Sequence, residues 1–281
     1  MNAEARYAVG DGAELWTSVS GSGPPVLLCH GGPGLWDYFE PLAQMVDDLA
    51  TVHRWDQRGC GRSTGEGPYT IARSIVDIEA LRQRWGVDHW TVLGHSWGAT
   101  LALQYALAHP SRVTGLVYLS GVFGSAWRPA SKAESLRRLD PAQLARYLEL
   151  DARPRTPEED REYVILSWST DFADRTSAIT LAEALVDSGF PPNYECNRAL
   201  MAESHAIDGL LLLERCRSPD VPVLIAHGAE DPRPAWALDP LADALPRARL
   251  VVFDAVGHLP WLEHPELLRR ELREFLREIH T

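Results

Sequence analysis

The chain has 281 residues, 45% of them hydrophobic and 23% charged, with 27 Lys and Arg against 39 Asp and Glu and a formal net charge of −12. A length of this order makes one large domain or two small ones and lets folding bury roughly 75% of the unfolded surface, so Cys29, Cys60, Cys196 and Cys216 are not needed as staples and, lacking metal or redox spacing, read as free buried thiols. The acidic balance without a basic cluster excludes nucleic acid as a partner. No stretch approaches the roughly 18 apolar residues of a membrane span, and Met1 to Gly10 has no leader pattern, so the expectation is a cytoplasmic protein without membrane contact.

In chain order, Ala5 to Val9 and Glu14 to Val19 alternate as two antiparallel strands joined at Asp11-Gly12. Val26 to Cys29 is a short continuous apolar run, the pattern of a strand covered on both faces, and it ends at His30-Gly31-Gly32-Pro33-Gly34. Pro41 to Asp48 reads as a helix and Ala50 to Trp55 as a strand ending at Asp56-Gln57-Arg58-Gly59-Cys60-Gly61-Arg62-Ser63. Thr70 can cap a helix in which Ile71, Ile75, Ile78, Leu81 and Trp85 recur at steps of three and four and which Gly86 closes. Next comes Trp90 to Leu93, then Gly94-His95-Ser96-Trp97-Gly98, then a small-residue apolar run to Ala108, and then the strand Val113 to Leu119. Alternating strands and helices, with the strands apolar throughout, predict an α/β fold with a mostly parallel sheet and helices on both faces.

From 124 to 207 the alternation stops. Pro129 and Ser131, with Glu134 as a capping-box partner, predict one helix, Asp140-Pro141 a second, Thr156 to Glu159 a third, and Thr180 to Ser188 a fourth. Such a run between two sheet strands reads as a helical lid, dividing the chain into core (1–123), lid (124–207) and core (208–281). Val221 to Ala226 resumes the sheet and ends at His227-Gly228-Ala229-Glu230-Asp231; Pro240 to Ala244 is a short helix, Ala248 to Phe253 the last strand, and Pro265 to Ile279 an amphipathic closing helix.

Strand, Gly-x-Ser-x-Gly and helix in succession form a nucleophile elbow, the α/β-hydrolase signature, with Ser96 as the candidate nucleophile. A serine hydroxyl needs a base and a group to orient that base. His258, beside Gly257 in the loop after the last strand, is the candidate base, whereas His30, His95, His109 and His227 sit at element ends and read as structural. Asp231 is the candidate acid, in the expected chain order Ser, Asp, His; Glu230 is a weaker rival, and Ser120 and Gly121 after the preceding strand cannot serve. The N–H groups of Trp97, in the first turn of the helix, and of Gly32 are candidates for an oxyanion hole. Arg58 and Arg62 could bind an anion or simply hold their loop, and Trp127, Trp168, Trp236 and Trp261 could line an acyl pocket or belong to the core.

His30-Gly-Gly-Pro-Gly34, Asp56-Gln-Arg-Gly-Cys-Gly-Arg-Ser63 and Ser96-Trp-Gly-Ala-Thr-Leu-Ala-Leu103 resemble the proline iminopeptidase type of α/β-hydrolase, serine aminopeptidases that remove an N-terminal residue. The resemblance implies the triad Ser96, Asp231 and His258, an oxyanion hole from Gly32 and Trp97, no cofactor and no metal, and lid carboxylates that bind the substrate amine. Glu203-Ser204-His205 is similar to the Glu-Asn-His of that type, which makes Glu203 the implied amine ligand. The ending Gly257 to Pro265 is closer to that of esterases, lactonases and carbon-carbon hydrolases. Two substrate classes therefore stand: a short peptide or amide, and a small neutral ester, thioester or lactone. A silent hydrolase fold serving as a small-molecule receptor is a third reading, against which the complete Ser, Asp and His set speaks.

Overall fold

The computed structural model describes residues 3–218 and 220–280. Its strands are β1 (Ala3–Ala8), β2 (Glu14–Gly21), β3 (Pro25–Cys29), β4 (Thr51–Trp55), β5 (Trp90–His95), β6 (Val113–Leu119), β7 (Val223–Gly228) and β8 (Ala248–Phe253). They form one sheet in the order β1-β2-β4-β3-β5-β6-β7-β8, antiparallel at β1-β2 and β2-β4 and parallel elsewhere. Successive side chains of a strand point to opposite faces. Accordingly Leu27, Val92, Leu116, Tyr118 and Ile225 enter the core on one face, and Leu28, Leu93, Val117, Leu119 and Leu224 the core on the other. This is why the central strands are apolar at every position rather than at alternate ones.

Helices α1 (Glu40–Ala43), α2 (Ile71–Arg84) and α3 (Trp97–Ala108) connect the first six strands. Between β6 and β7 lie α4 (Arg128–Arg138), α5 (Pro141–Asp151), α6 (Pro157–Ser169), α7 (Ala178–Asp187), α8 (Tyr194–Ala206) and α9 (Gly209–Cys216). After β7 come α10 (Asp239–Ala244), α11 (Pro260–Glu263) and α12 (Pro265–His280). Helix α12 packs Leu268, Leu272, Phe275 and Leu276 onto the face opposite α2 and α3.

The predicted caps of α2, α5 and α6 are present: Thr70 accepts from the N–H of Arg73, and Asp140 with Gln143 and Thr156 with Glu159 form capping boxes. Three expectations shift. The helix expected over Pro41 to Asp48 ends at Ala43, because Met45 and Val46 bond three residues back and tighten the chain into turns. Helix α4 opens at Arg128 with Trp127 as N-cap, so Ser131 lies inside it; Pro129 is tolerated in the first turn, where its missing N–H has no partner to lose. Glu134 pairs with Arg137 and Arg138 instead of capping. Strand β7 starts at Val223 rather than Val221: Pro222 has no N–H for the ladder, although its carbonyl accepts from Leu116.

Candidate active site

Ser96 links β5 to α3 with φ 56° and ψ −124°, a left-handed conformation that costs a non-glycine residue on the order of 1–3 kcal/mol. Its N–H donates to the Leu119 carbonyl at 2.9 Å, which fixes the bend against the neighbouring strand. The flanking glycines are steric requirements. A Cβ on Gly94 would come within 2.0 Å of the Gly98 carbonyl oxygen, and one on Gly98 within 2.1 Å of the Cys29 carbonyl oxygen. Close approach of helix, strand and the β3 loop therefore dictates Gly-x-Ser-x-Gly.

His258 lies in the loop after β8, its ring Nδ1 2.5 Å from Oδ2 of Asp231 at the end of β7, and both side chains are buried. Burial alone would push the Asp231 carboxyl up, but the charges of His258 and Arg233 outweigh it and hold the group below the ordinary carboxylate range. The second oxygen of Asp231 accepts from the Arg233 N–H at 2.9 Å, with the Arg233 guanidinium 3.3 Å away. Glu230, the alternative acid, is exposed, and its backbone carbonyl accepts from Arg138. The His258 N–H donates to the Asp171 carbonyl at 2.7 Å, and Glu263 accepts from Gly257 at 2.7 Å and Ala173 at 2.6 Å. The loop bearing His258 is thus pinned to the segment after α6.

Two cavities meet at Ser96, Gly32 and Arg233. The smaller, about 110 Å³, is lined by His258, Tyr38, Trp36, Trp168 and Asp171 among others. The larger, about 360 Å³, has Trp97, Phe123, Trp127, Arg128, Met201 and His205 in its wall. Gly32 belongs to both walls, and the N–H of Gly31 before it is taken by the Tyr38 hydroxyl at 2.7 Å. The N–H of Trp97 opens α3, where no helical carbonyl lies behind it to accept. Of the four tryptophans, Trp127 and Trp168 line cavities, Trp261 stacks on Tyr38 with centroids 5.8 Å apart, and Trp236 is exposed.

One residue is placed differently from the sequence expectation. Glu203 lines neither cavity: its carboxylate accepts from the N–H of Ile71 at 2.7 Å, at the start of α2. An unpaired N–H at the positive end of a helix is a ready partner for a carboxylate. Ser204, one residue on, accepts from the Trp97 indole at 2.9 Å and does face the larger cavity. Arg58 and Arg62 hold their loop, Arg58 on Asp77 at 2.7 Å and Arg62 on Asp56 at 2.6 Å and over the Trp16 ring.

Three side chains at the site have no counterpart in the sequence analysis, Tyr38, Asp171 and Arg233, and a fourth, His95, is there read as structural. Arg233 stands two residues after Asp231, a spacing that could have signalled it, whereas Asp171 is brought in by the helices between β6 and β7 and has no local signal. His95 Nε2 lies 2.9 Å from the His258 carbonyl, which can only accept, so Nε2 carries the proton and Nδ1 accepts from the Tyr38 hydroxyl at 2.7 Å. Burial, and then the neighbouring His258, hold the His95 pKa well below its ordinary value, in keeping with a neutral ring.

Residues 24–265 match the family model described as the alpha/beta hydrolase fold. The chain is 31% identical to the proline iminopeptidase of Neisseria meningitidis serogroup A over 282 aligned residues, covering 87% of this chain and 86% of that one. It belongs to the proline iminopeptidase family of α/β-hydrolases. The putative proline iminopeptidase of Mycoplasma genitalium is 26% identical with 92% of each chain covered. A match to the Neisseria gonorrhoeae proline iminopeptidase reaches 39% identity over 148 residues but spans 46% of that protein. Among solved structures, the Mycobacterium smegmatis proline iminopeptidase superposes with a TM-score of 0.73 at 22% identity, covering 99% of this chain and 98% of that one. A meta-cleavage product hydrolase from Pseudomonas fluorescens gives 0.76 at 21% identity with 98% and 97% covered; both show the shared fold. As a family member the protein is a hydrolase, and among the described residues no helix is long and apolar enough to cross a membrane.

Proposed function

We propose that this family member is a serine hydrolase working through an acyl-enzyme on Ser96, and that it is an aminopeptidase of the proline iminopeptidase type. The observation that carries the mechanism is the 2.5 Å pairing of Asp231 with His258, which lines a cavity together with Ser96. Asp231 fixes His258 so that the far ring nitrogen serves as base; the base takes the Ser96 proton, and the alkoxide attacks the substrate carbonyl. The N–H groups of Gly32 and Trp97 receive the oxyanion, each such donor being worth about 2.7 to 4 kcal/mol in the transition state. His258 then protonates the leaving amine, and a water activated by the same ring releases the acyl group. Residues 124–207 act as the lid that excludes bulk water from these steps.

Similarity over 87% of this chain and 86% of a proline iminopeptidase supports an N-terminal amide as the bond cleaved. With Glu203 engaged at α2, the ammonium of such a substrate would pair with Asp171, the one carboxylate among the described residues lining the two cavities. A second reading, hydrolysis of a small ester, thioester or lactone, is favoured by the fact that Asp171 already meets Arg233 at 2.6 Å.

Initial rates on proline and alanine p-nitroanilides, p-nitrophenyl acetate and a lactone panel separate the two. Turnover of the anilides, with KM raised in Asp171→Asn, is expected of the aminopeptidase. Turnover of esters alone would reject it and leave the second reading. A fluorophosphonate that fails to label Ser96 in folded protein would reject both.

A further inference from the structure

The larger cavity has an electrostatic character that the proposed reaction does not use. Three of its wall residues are Arg128, Arg233 and His205, and among the described residues no Asp or Glu lines it. Arg233 is already neutralised, with Asp171 at 2.6 Å and Asp231 at 3.3 Å. Arg128 is not. Among the described residues its buried Nε has no hydrogen-bond partner and it enters no ion pair, and its guanidinium carbon lies 5.6 Å from the centroid of the Trp127 ring. A partly buried guanidinium left without a carboxylate forgoes the strong, bidentate pairing that arginine geometry suits. Burial, and then the charge of Arg128, lower the His205 pKa and oppose a second cation there. The fork suits carboxylate and phosphate alike, but one unpaired guanidinium carries one positive charge, which balances a single carboxylate and leaves a doubly charged phosphate half-neutralised.

We infer that Arg128 is a specificity residue that binds a carboxylate of the substrate in the cavity beside Ser96, with Phe123, Trp127 and Met201 packing the chain that carries it. The inference rests on Ser96 being the reacting centre and not on which bond is cleaved. The carboxylate can belong to the leaving side, as the free end of a dipeptide, or to the acyl side, as in the monoester of a dicarboxylic acid. Either source makes the same contact.

The test uses two matched pairs on the full chain: prolyl-4-aminobenzoate against prolyl-anilide for the leaving side, and mono-4-nitrophenyl glutarate against 4-nitrophenyl butyrate for the acyl side. At least one pair is expected to favour the anion in kcat/KM by about tenfold or more. That ratio should collapse in Arg128→Gln and return in part in Arg128→Lys, which keeps charge but loses the fork. The pair that discriminates identifies the side that carries the carboxylate. Equal turnover within both pairs, or a ratio that survives Arg128→Gln, overturns the inference. Should neither pair react, calorimetric binding of monomethyl glutarate to wild type and Arg128→Gln decides: binding weakened in the variant supports the site, and no binding to wild type overturns it. Fluorophosphonate labelling of Ser96 reports separately on the hydrolase reading.

Discussion

The Tyr38 hydroxyl stands 2.7 Å from Nδ1 of His95 and accepts the N–H of Gly31, so one side chain joins the loop of the proposed oxyanion hole to the ring that bonds the His258 backbone. A continuous path of hydrogen bonds thereby sets the distance between Gly32 and His258, although neither Tyr38 nor His95 need touch the reacting atoms. Tyr38→Phe keeps the ring stacked on Trp261 and removes the path. It is expected to lower kcat roughly 10- to 100-fold with little change in KM, because misplacement of the reacting groups costs the transition state more than the bound substrate. Steady-state kinetics checks this, and an unchanged kcat would show that packing alone holds the two loops.

The proposed nucleophile and base act as one unit. Ser96→Ala and His258→Ala should each lower kcat by on the order of 10³-fold or more, and the double variant should lose little beyond either single one. Rates measured with whichever substrate proves active give the comparison. Additive losses would mean that the two residues serve separate steps.

Much of this arrangement was legible in the sequence for physical reasons. The elbow is dictated by contacts of about 2 Å at Gly94 and Gly98 that no side chain survives; the strand leading to Asp231 follows from an apolar run buried on both faces, and the loop bearing His258 from the apolar run of β8, a half-buried strand at the sheet edge. The sequence context of Glu203 is satisfied equally by a carboxylate facing substrate and by one facing a helix end, and it is the packing of α8 against α2 that brings this carboxylate to the N–H of Ile71. Asp171 and Arg128 were invisible for a related reason: each acquires its role by where the helices between β6 and β7 fold back over Ser96, a long-range relation that leaves no periodicity.

Acid stability should depend on Glu79. Its carboxylate accepts two bonds from Arg82 at 2.8 Å and one from the Tyr105 hydroxyl at 2.6 Å, tying α2 to α3. The Arg82 bonds are the main cause that brings its pKa down to about 2 from 4.5, burial opposing them. The folded value lies below the unfolded one, so the contribution is complete above about pH 4.5 and is lost as pH falls toward 2. Urea midpoints of wild type and Glu79→Gln should therefore differ at pH 6 and converge on acidification. A gap independent of pH would assign the effect to packing.

Glu203 provides the sharpest separation of family resemblance from geometry. If its carboxylate serves α2 as the 2.7 Å bond to Ile71 indicates, Glu203→Gln is a stability variant: it weakens a charge-assisted bond at a helix N-terminus. The expected loss is about 0.5–2 kcal/mol, the range of helix-cap substitutions, read from urea denaturation. KM for proline p-nitroanilide should not change, and any preference for amine-bearing over neutral substrates should be the same as in wild type. A KM raised tenfold or more, about 1.4 kcal/mol of binding, with stability unchanged would instead place this carboxylate on the substrate amine. Measuring both quantities on one variant matters because a helix-end defect could lower activity indirectly, whereas only a direct contact would raise KM for the cationic substrate and spare the neutral one.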